Sequence, residues 1–397
     1  MTTEQILCQE VAEELHGNIL PFWINHVIDP QGGFFGRIDG RGELHAGAER
    51  SAILCARLLW TFSSAYRISK RDEYLAAAAS IRRYISERFT DGEFGGVFWS
   101  LRADGMPADT KKQFYAIAFA VYGLSEYARA TGDDEAAAEA VRLCRTIEEH
   151  AFDRAGNGYE EAAARDWTAI DDVRLSDKDD NEKRTMNTHL HILEAYTNLY
   201  RVWPDGSLQE RIANLVGIFR DRIACADGHL GLFFDEQWRH KSGGCFSYGH
   251  DIEASWLLLE AASVLDDKAL YEQTRLMCGR IADAALEGLR GDGSMIYERH
   301  ADGSTDEERH WWVQAECVVG LCYLYKYHNR TGALEMAMRC WDYIKTHLVD
   351  RADGEWHWSI MPDGSVNRHD DKAGFWKCPY HNGRMCLELA ERIARHS

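Results

Sequence analysis

His191, His250 and His381 each stand near the start of a long apolar run in this 397-residue chain, close to a second polar side chain. His250 and Glu253 are three apart, so on a helix they share a face where the carboxylate can orient the imidazole and raise its pKa. An N-terminal cap with an acidic first turn is the plainer reading of the same spacing. Asn187 and His191 are also helical neighbours, whereas His189 is turned about 200° from His191 and makes a poor metal pair with it. Two imidazoles facing each other across a cleft suit removal of a proton alpha to a carbonyl and its return. With an intrinsic pKa of about 6.5, one is the neutral base while its partner is the protonated acid, and no cofactor is required. Glycoside hydrolysis needs instead two carboxylates flanking a cleft; Asp251, Glu253 and Glu316 are the candidates, and the histidines would then go unused.

The elements that carry these residues recur. A helical pattern, a polar turn with Gly, and a short aromatic run are repeated six times, around Gly33, Gly95, Asn157, Leu230, Gly293 and Gly354. The separations are 62, 62, 73, 63 and 61, and the long one contains the polar stretch from Asp166 to Lys183, which reads as an inserted loop. Each turn predicts a small β-hairpin, and the roughly 60 residues between turns hold two helical patterns. The first helix of each pair is apolar nearly all round, as in SAILCARLLWTFSSAY, and the second is charged on one face, as in DEAAAEAVRLCRTIEEH. Six enclosed helices ringed by six amphipathic ones predict an all-α (α/α)6 barrel of six helical hairpins, one domain spanning residues 1–397. An open α-solenoid is the rival. In the barrel, the inner helix starts gather at one mouth and bring together Glu49, Arg50 and Arg57; Lys112 and Tyr115; Asn187 and His191; His250 and Glu253; Trp312, Gln314 and Glu316; and His381, Asn382 and Arg384.

Other chemistries find little support. Lys plus Arg number 45 against 64 Asp plus Glu, a net charge of −19, which opposes binding to nucleic acid or an anionic membrane and fits a small neutral substrate. There is no GxGxxG after a strand, no GxxxxGK[ST], no GxSxG and no HExxH, and Cys378, His381 and Cys386 lack paired zinc spacing. No catalytic metal and no cofactor are expected. Eleven scattered cysteines without a CxxC read as reduced thiols, the first fifteen residues are acidic rather than signal-like, and no apolar run is long enough to span a membrane. A cytoplasmic protein follows, with monomer as the default state.

The stretches NTHLHILEAYTNLYR from Asn187, SYGHDIEASWLLLEA from Ser247, WWVQAE from Trp311 and FWKCPYHNGRMCLE from Phe375 resemble the N-acylglucosamine 2-epimerase superfamily, along nearly the whole chain. SYGHDIEASW is similar to its disaccharide branch rather than to the monosaccharide branches, where the segment is closer to PGHxxE. Gly383 departs from the Ser found there and should loosen the helix start. The resemblance implies an (α/α)6 barrel and reversible inversion at C2 of the reducing-end glucose of a β-1,4-linked disaccharide, cellobiose or lactose. It further implies that His381 and His250 exchange protons with C2 through a cis-enediolate. His191 would assist ring opening, Glu253 would orient His250, and Arg57 would hold the O1/O2 edge. Asn187, Tyr115 and Glu316 would help to bind the sugar, and Trp312 and Trp376 would be its stacking walls. An N-acylglucosamine 2-epimerase, a mannose isomerase, an inverting (α/α)6 glycoside hydrolase and a non-catalytic sugar-binding barrel remain the alternatives.

Overall fold

The computed structural model describes residues 1–393. Twelve main helices alternate between two layers. The inner helices are α2 (Ala52–Ser69), α4 (Phe114–Thr131), α6 (Met186–Tyr200), α8 (Tyr248–Ser263), α10 (Trp311–Tyr327) and α12 (Tyr380–Glu388). The outer ones are α1 (Thr3–Glu14), α3 (Asp72–Tyr84), α5 (Asp134–His150), α7 (Gly206–Ile218), α9 (Lys268–Ala285) and α11 (Gly332–Tyr343). Each inner helix packs on the next, and α12 packs back on α2, so the inner ring closes and the fold is an (α/α)6 barrel rather than a solenoid.

The two layers follow from their sequences. In α5 the buried residues Ala136, Ala140, Leu143, Cys144 and Ile147 recur at helical spacing and leave the other face to Glu and Arg. In α2 every residue from Ala52 to Ala65 is buried, because neighbours press on it from all sides. Small residues let inner helices approach closely: a Cβ at Gly123 of α4 would lie 2.6 Å from the Ala56 carbonyl oxygen of α2. Outer helices are capped by Asp133, Asp205 and Asp267, whose carboxylates accept from the first-turn amides.

All six turn marks are closed by antiparallel pairing, at Ile28–Phe34, Thr90–Val97, Phe152–Tyr159, Ala224–Leu230, Leu289–Met295 and Val349–Trp356. The residues just before five of the inner helices each pair with a strand of the following repeat: Arg50–Ser51 with Ser100–Leu101, Lys112–Gln113 with Ala162–Ala163, Arg184–Thr185 with Phe233–Phe234, Phe246–Ser247 with Glu298–Arg299, and Arg309–His310 with Ser359–Ile360. These short ladders pin the inner helix N-termini at one mouth. Only five helical hairpins are continuous in sequence; the sixth is assembled from the chain ends, with α1 as the outer partner of α12. Polar contacts also tie α1 to the repeat beside it, since Trp356 Nε1 donates to Glu14 at 2.9 Å and Trp341 Nε1 of α11 to Glu10 at 2.8 Å.

Candidate active site

The expected rim residues do converge at the inner helix starts. Trp312, in the first turn of α10, is the common neighbour: its ring centroid is 4.8 Å from that of His250 on α8 and 5.5 Å from that of His381 on α12. It lies there because residue 249 is glycine; a Cβ at Gly249 would be 2.6 Å from the indole. On the other side of the mouth, Tyr115 of α4 and His191 of α6 meet edge to face at 5.0 Å, and the Arg57 guanidinium of α2 lies over the Phe119 and Tyr380 rings at 4.2 and 4.6 Å.

Each histidine is held through Nδ1, which leaves Nε2 for other work. His381 Nδ1 donates to Glu316 at 2.7 Å, His191 Nδ1 donates to Glu194 at 2.8 Å, and His250 Nδ1 is paired with the Ser247 hydroxyl at 2.9 Å. Burial pushes His250 down to about 4 and His381 well below the ordinary histidine range, with Glu253 opposing both and the Arg57 and Arg384 charges adding to the depression at His381. Burial therefore favours the neutral form of both imidazoles. Glu194 behaves oppositely. Burial pushes it up, but Arg384 beside it and its bonds with His191 and Tyr380 hold it down at about 2, so it stays an anion.

Arg384, fully buried, ties these groups together. Its Nη1 donates to Glu194 and to the Tyr380 hydroxyl, and its Nη2 donates to Glu253 and to Glu316, both at 2.6 Å. Side-chain atoms of Glu253, Glu316 and His381 come within 4.8 Å of one another, as metal ligands would. The guanidinium already supplies the positive charge between those two carboxylates.

Several expected roles change. Glu253 is bonded to Arg384 and lies 3.9 Å from His381 Nδ1, while the hydrogen-bond partner of His250 is Ser247. Glu316 is fully buried behind His381, where it orients the ring and also accepts from Trp256 Nε1 at 3.0 Å; it is not placed to touch a sugar. Asp251 is buried against His229, at 2.7 Å, so the carboxylates proposed for a hydrolase do not flank a cleft. His189 faces away as expected, its Nε2 accepting from the Tyr159 amide and its Nδ1 bonding the Thr185 carbonyl. Gly383 does not prevent the helix from starting at Tyr380, and a Cβ there would press on the Thr61 methyl at 3.2 Å.

Two polar groups at the mouth each keep one atom without a partner. Arg57 Nη2 donates to the Tyr115 hydroxyl at 2.9 Å and Nη1 faces Cys378 Sγ at 3.8 Å, but Nε has no partner, and among the described residues no carboxylate lies within 4 Å of this buried guanidinium. Asn187 Oδ1 is likewise buried without a partner. Trp376, half-buried, lines an adjoining cavity of about 190 Å³ with Trp358, Phe375 and Arg37. Sequence reading missed Glu194, Ser247 and Tyr380. Glu194 carried the signal already used for Glu253, a carboxylate three residues from a histidine.

The chain matches the N-acylglucosamine 2-epimerase (GlcNAc 2-epimerase) family over residues 33–383. It belongs to that family. Among its relatives, the cellobiose 2-epimerase of Bacteroides fragilis is 56% identical over 389 residues, covering 97% of this chain and 99% of that protein. That of Ruminococcus albus is 39% identical, covering 98% and 99%. Among solved structures, the cellobiose 2-epimerase of Bacillus thermoamylovorans superposes with a TM-score of 0.93 at 40% identity, covering 98% of this chain and all of that one. A D-mannose isomerase superposes at 0.85 with 21% identity over 96% of this chain and 97% of that one, and shares the fold. As a member of the family the protein is a carbohydrate epimerase, an isomerase. No helix among its described residues is long and apolar enough to cross a membrane.

Proposed function

We propose that the protein inverts C2 of the reducing-end glucose of β-1,4-linked disaccharides, converting cellobiose to glucosyl-mannose and lactose to epilactose, without a cofactor. The observation that carries this reading is the pairing of two imidazoles around one indole with a buried guanidinium that has no carboxylate partner among the described residues. His191, polarised by the Glu194 anion, assists opening of the pyranose ring. One of His250 and His381 then takes the proton from C2 through Nε2, and the electron pair moves onto the carbonyl oxygen to give a cis-enediolate. Arg57, with no carboxylate to neutralise it, meets that developing charge, and the N-terminal ends of the inner helices add positive potential at the same mouth. The other imidazole delivers a proton to the opposite face of C2. Since burial favours the neutral form of both imidazoles, that proton is drawn from solvent as negative charge builds beside them, and the first imidazolium gives its proton to solvent, so both end the turnover as they began. Glu316 and Glu253 stabilise the imidazolium at His381. Asn187 and Tyr115 bind the open chain, and Trp312 and Trp376 offer faces to the apolar C–H sides of the sugar rings.

The substrate class is supported by the high identity to cellobiose 2-epimerases across nearly the full length. We also place the protein in the cytoplasm, on the strength of eleven cysteines that are all free, and read it as a monomer acting on a small molecule, with neither nucleic acid nor membrane as partner. Product analysis tests the proposal. Cellobiose should give glucosyl-mannose with no free glucose. Free glucose would indicate a hydrolase, and turnover of only mannose or N-acetylglucosamine would indicate a monosaccharide enzyme.

A further inference from the structure

The strand pair that carries Ser247 bears a second cluster with different chemistry. Cys245 lies two residues before Ser247, Ser247 is in register with Glu298 on the partner strand, and His300 follows two residues on. The Cys245 thiol, a Glu298 oxygen and a His300 ring nitrogen lie within 4.8 Å of one another, and all three residues are partly exposed. Cys245 and His300 border a cavity of about 340 Å³ whose wall also carries Cys225, His229 and His240, so two thiols and three imidazoles line one small volume. None of these residues has a part in the sugar chemistry. His300 Nδ1 is 3.6 Å from Glu298, too far for a hydrogen bond, so the imidazole keeps its ligating capacity.

A thiolate, an imidazole and a carboxylate converging with an open side is the donor set of a borderline-soft divalent cation with three protein ligands and a fourth position for water. We propose that Cys245, Glu298 and His300 form a site for one Zn²⁺-like cation at the outer edge of the mouth, distinct from the catalytic histidines. Binding exchanges the thiol proton for the metal, forming one Zn–S bond and releasing one H⁺, with no change of oxidation state.

The test is titration of chelator-treated protein with ZnCl₂ by calorimetry, repeated with CoCl₂ while the near-ultraviolet absorbance is followed. One Zn²⁺ per chain is expected, with affinity lowered about tenfold or more in Cys245→Ser and in His300→Gln. Co²⁺ should give a thiolate charge-transfer band that Cys245→Ser abolishes, circular dichroism confirming that the variants are folded. Absence of binding, equal binding by the variants, or a cobalt band that survives Cys245→Ser would overturn the proposal. So would binding that is lost in Glu316→Gln instead, since that would place the cation at His381.

Discussion

Burial sets the protonation of His250 and His381, and their hydrogen-bond partners set which nitrogen is free. His381 has a carboxylate behind it and His250 only a hydroxyl. The two imidazoles are therefore unequal bases. Replacing either by Asn should lower the rate of C2 exchange by about 10² to 10⁴, the usual contribution of a general acid–base group, with little change in the circular dichroism spectrum. Arg57→Met should cost about 10² to 10³ in kcat, through loss of charge stabilisation in the transition state, with a smaller change in KM. An equal loss in KM alone would make Arg57 a ground-state contact. The residues that could be read in the sequence were those whose type names a chemistry. Glu253 was attached to the wrong histidine because i, i+3 spacing allows a contact without requiring one, and the side chain found a stronger partner in Arg384, more than a hundred residues away. No local pattern announces such a partner.

The inner helices deliver the site through their first turns, and the contacts there leave little slack. Gly249→Ala would drive a methyl into Trp312 and move the ring that both histidines touch. The expected outcome is a large fall in kcat with an intact fold, seen by comparing turnover with the melting temperature; an unchanged kcat would mean that Trp312 does not position the imidazoles. At Gly383 two effects compete. Alanine gains about 1 kcal/mol of helix propensity over glycine and serine less, but either Cβ meets Thr61 at 3.2 Å. Periodicity placed both layers of helices and all six turns, because apolar spacing and turn residues are local properties. It did not show that the sixth hairpin is split between the chain ends, since α1 and α12 are joined only through packing.

Arg384 binds three carboxylates inside the barrel and so joins α6, α8, α10 and α12. Arg384→Met would leave Glu194, Glu253 and Glu316 buried without their common partner, at a cost of about 3–5 kcal/mol in unfolding free energy measured by denaturant titration. Stability should also depend on pH in a definite direction. His189 and His250 are held neutral down to about pH 4, whereas the unfolded chain takes up protons near 6.5, so their contribution is present above about 6.5 and lost as pH falls towards 4. Glu194, held at about 2, adds a further loss between about pH 4 and 2. Glu161 works the other way. Burial raises it to about 8, so its contribution is fully present below the unfolded carboxylate range and declines as pH rises towards 8. Calorimetry should therefore show that His189→Asn makes the melting temperature less sensitive to pH between about 6.5 and 4, and an unchanged pH dependence would contradict a neutral, buried His189. The measurement that bears most directly on the chemistry is proton NMR of cellobiose with chelator-treated enzyme in D₂O. Deuterium should enter at C2 as a mannose-type reducing end grows in, with no free glucose, and both should slow by about 10² or more in His381→Asn. Epimerisation that retained the original proton at C2, or that proceeded undiminished in His381→Asn, would contradict proton exchange through the two imidazoles.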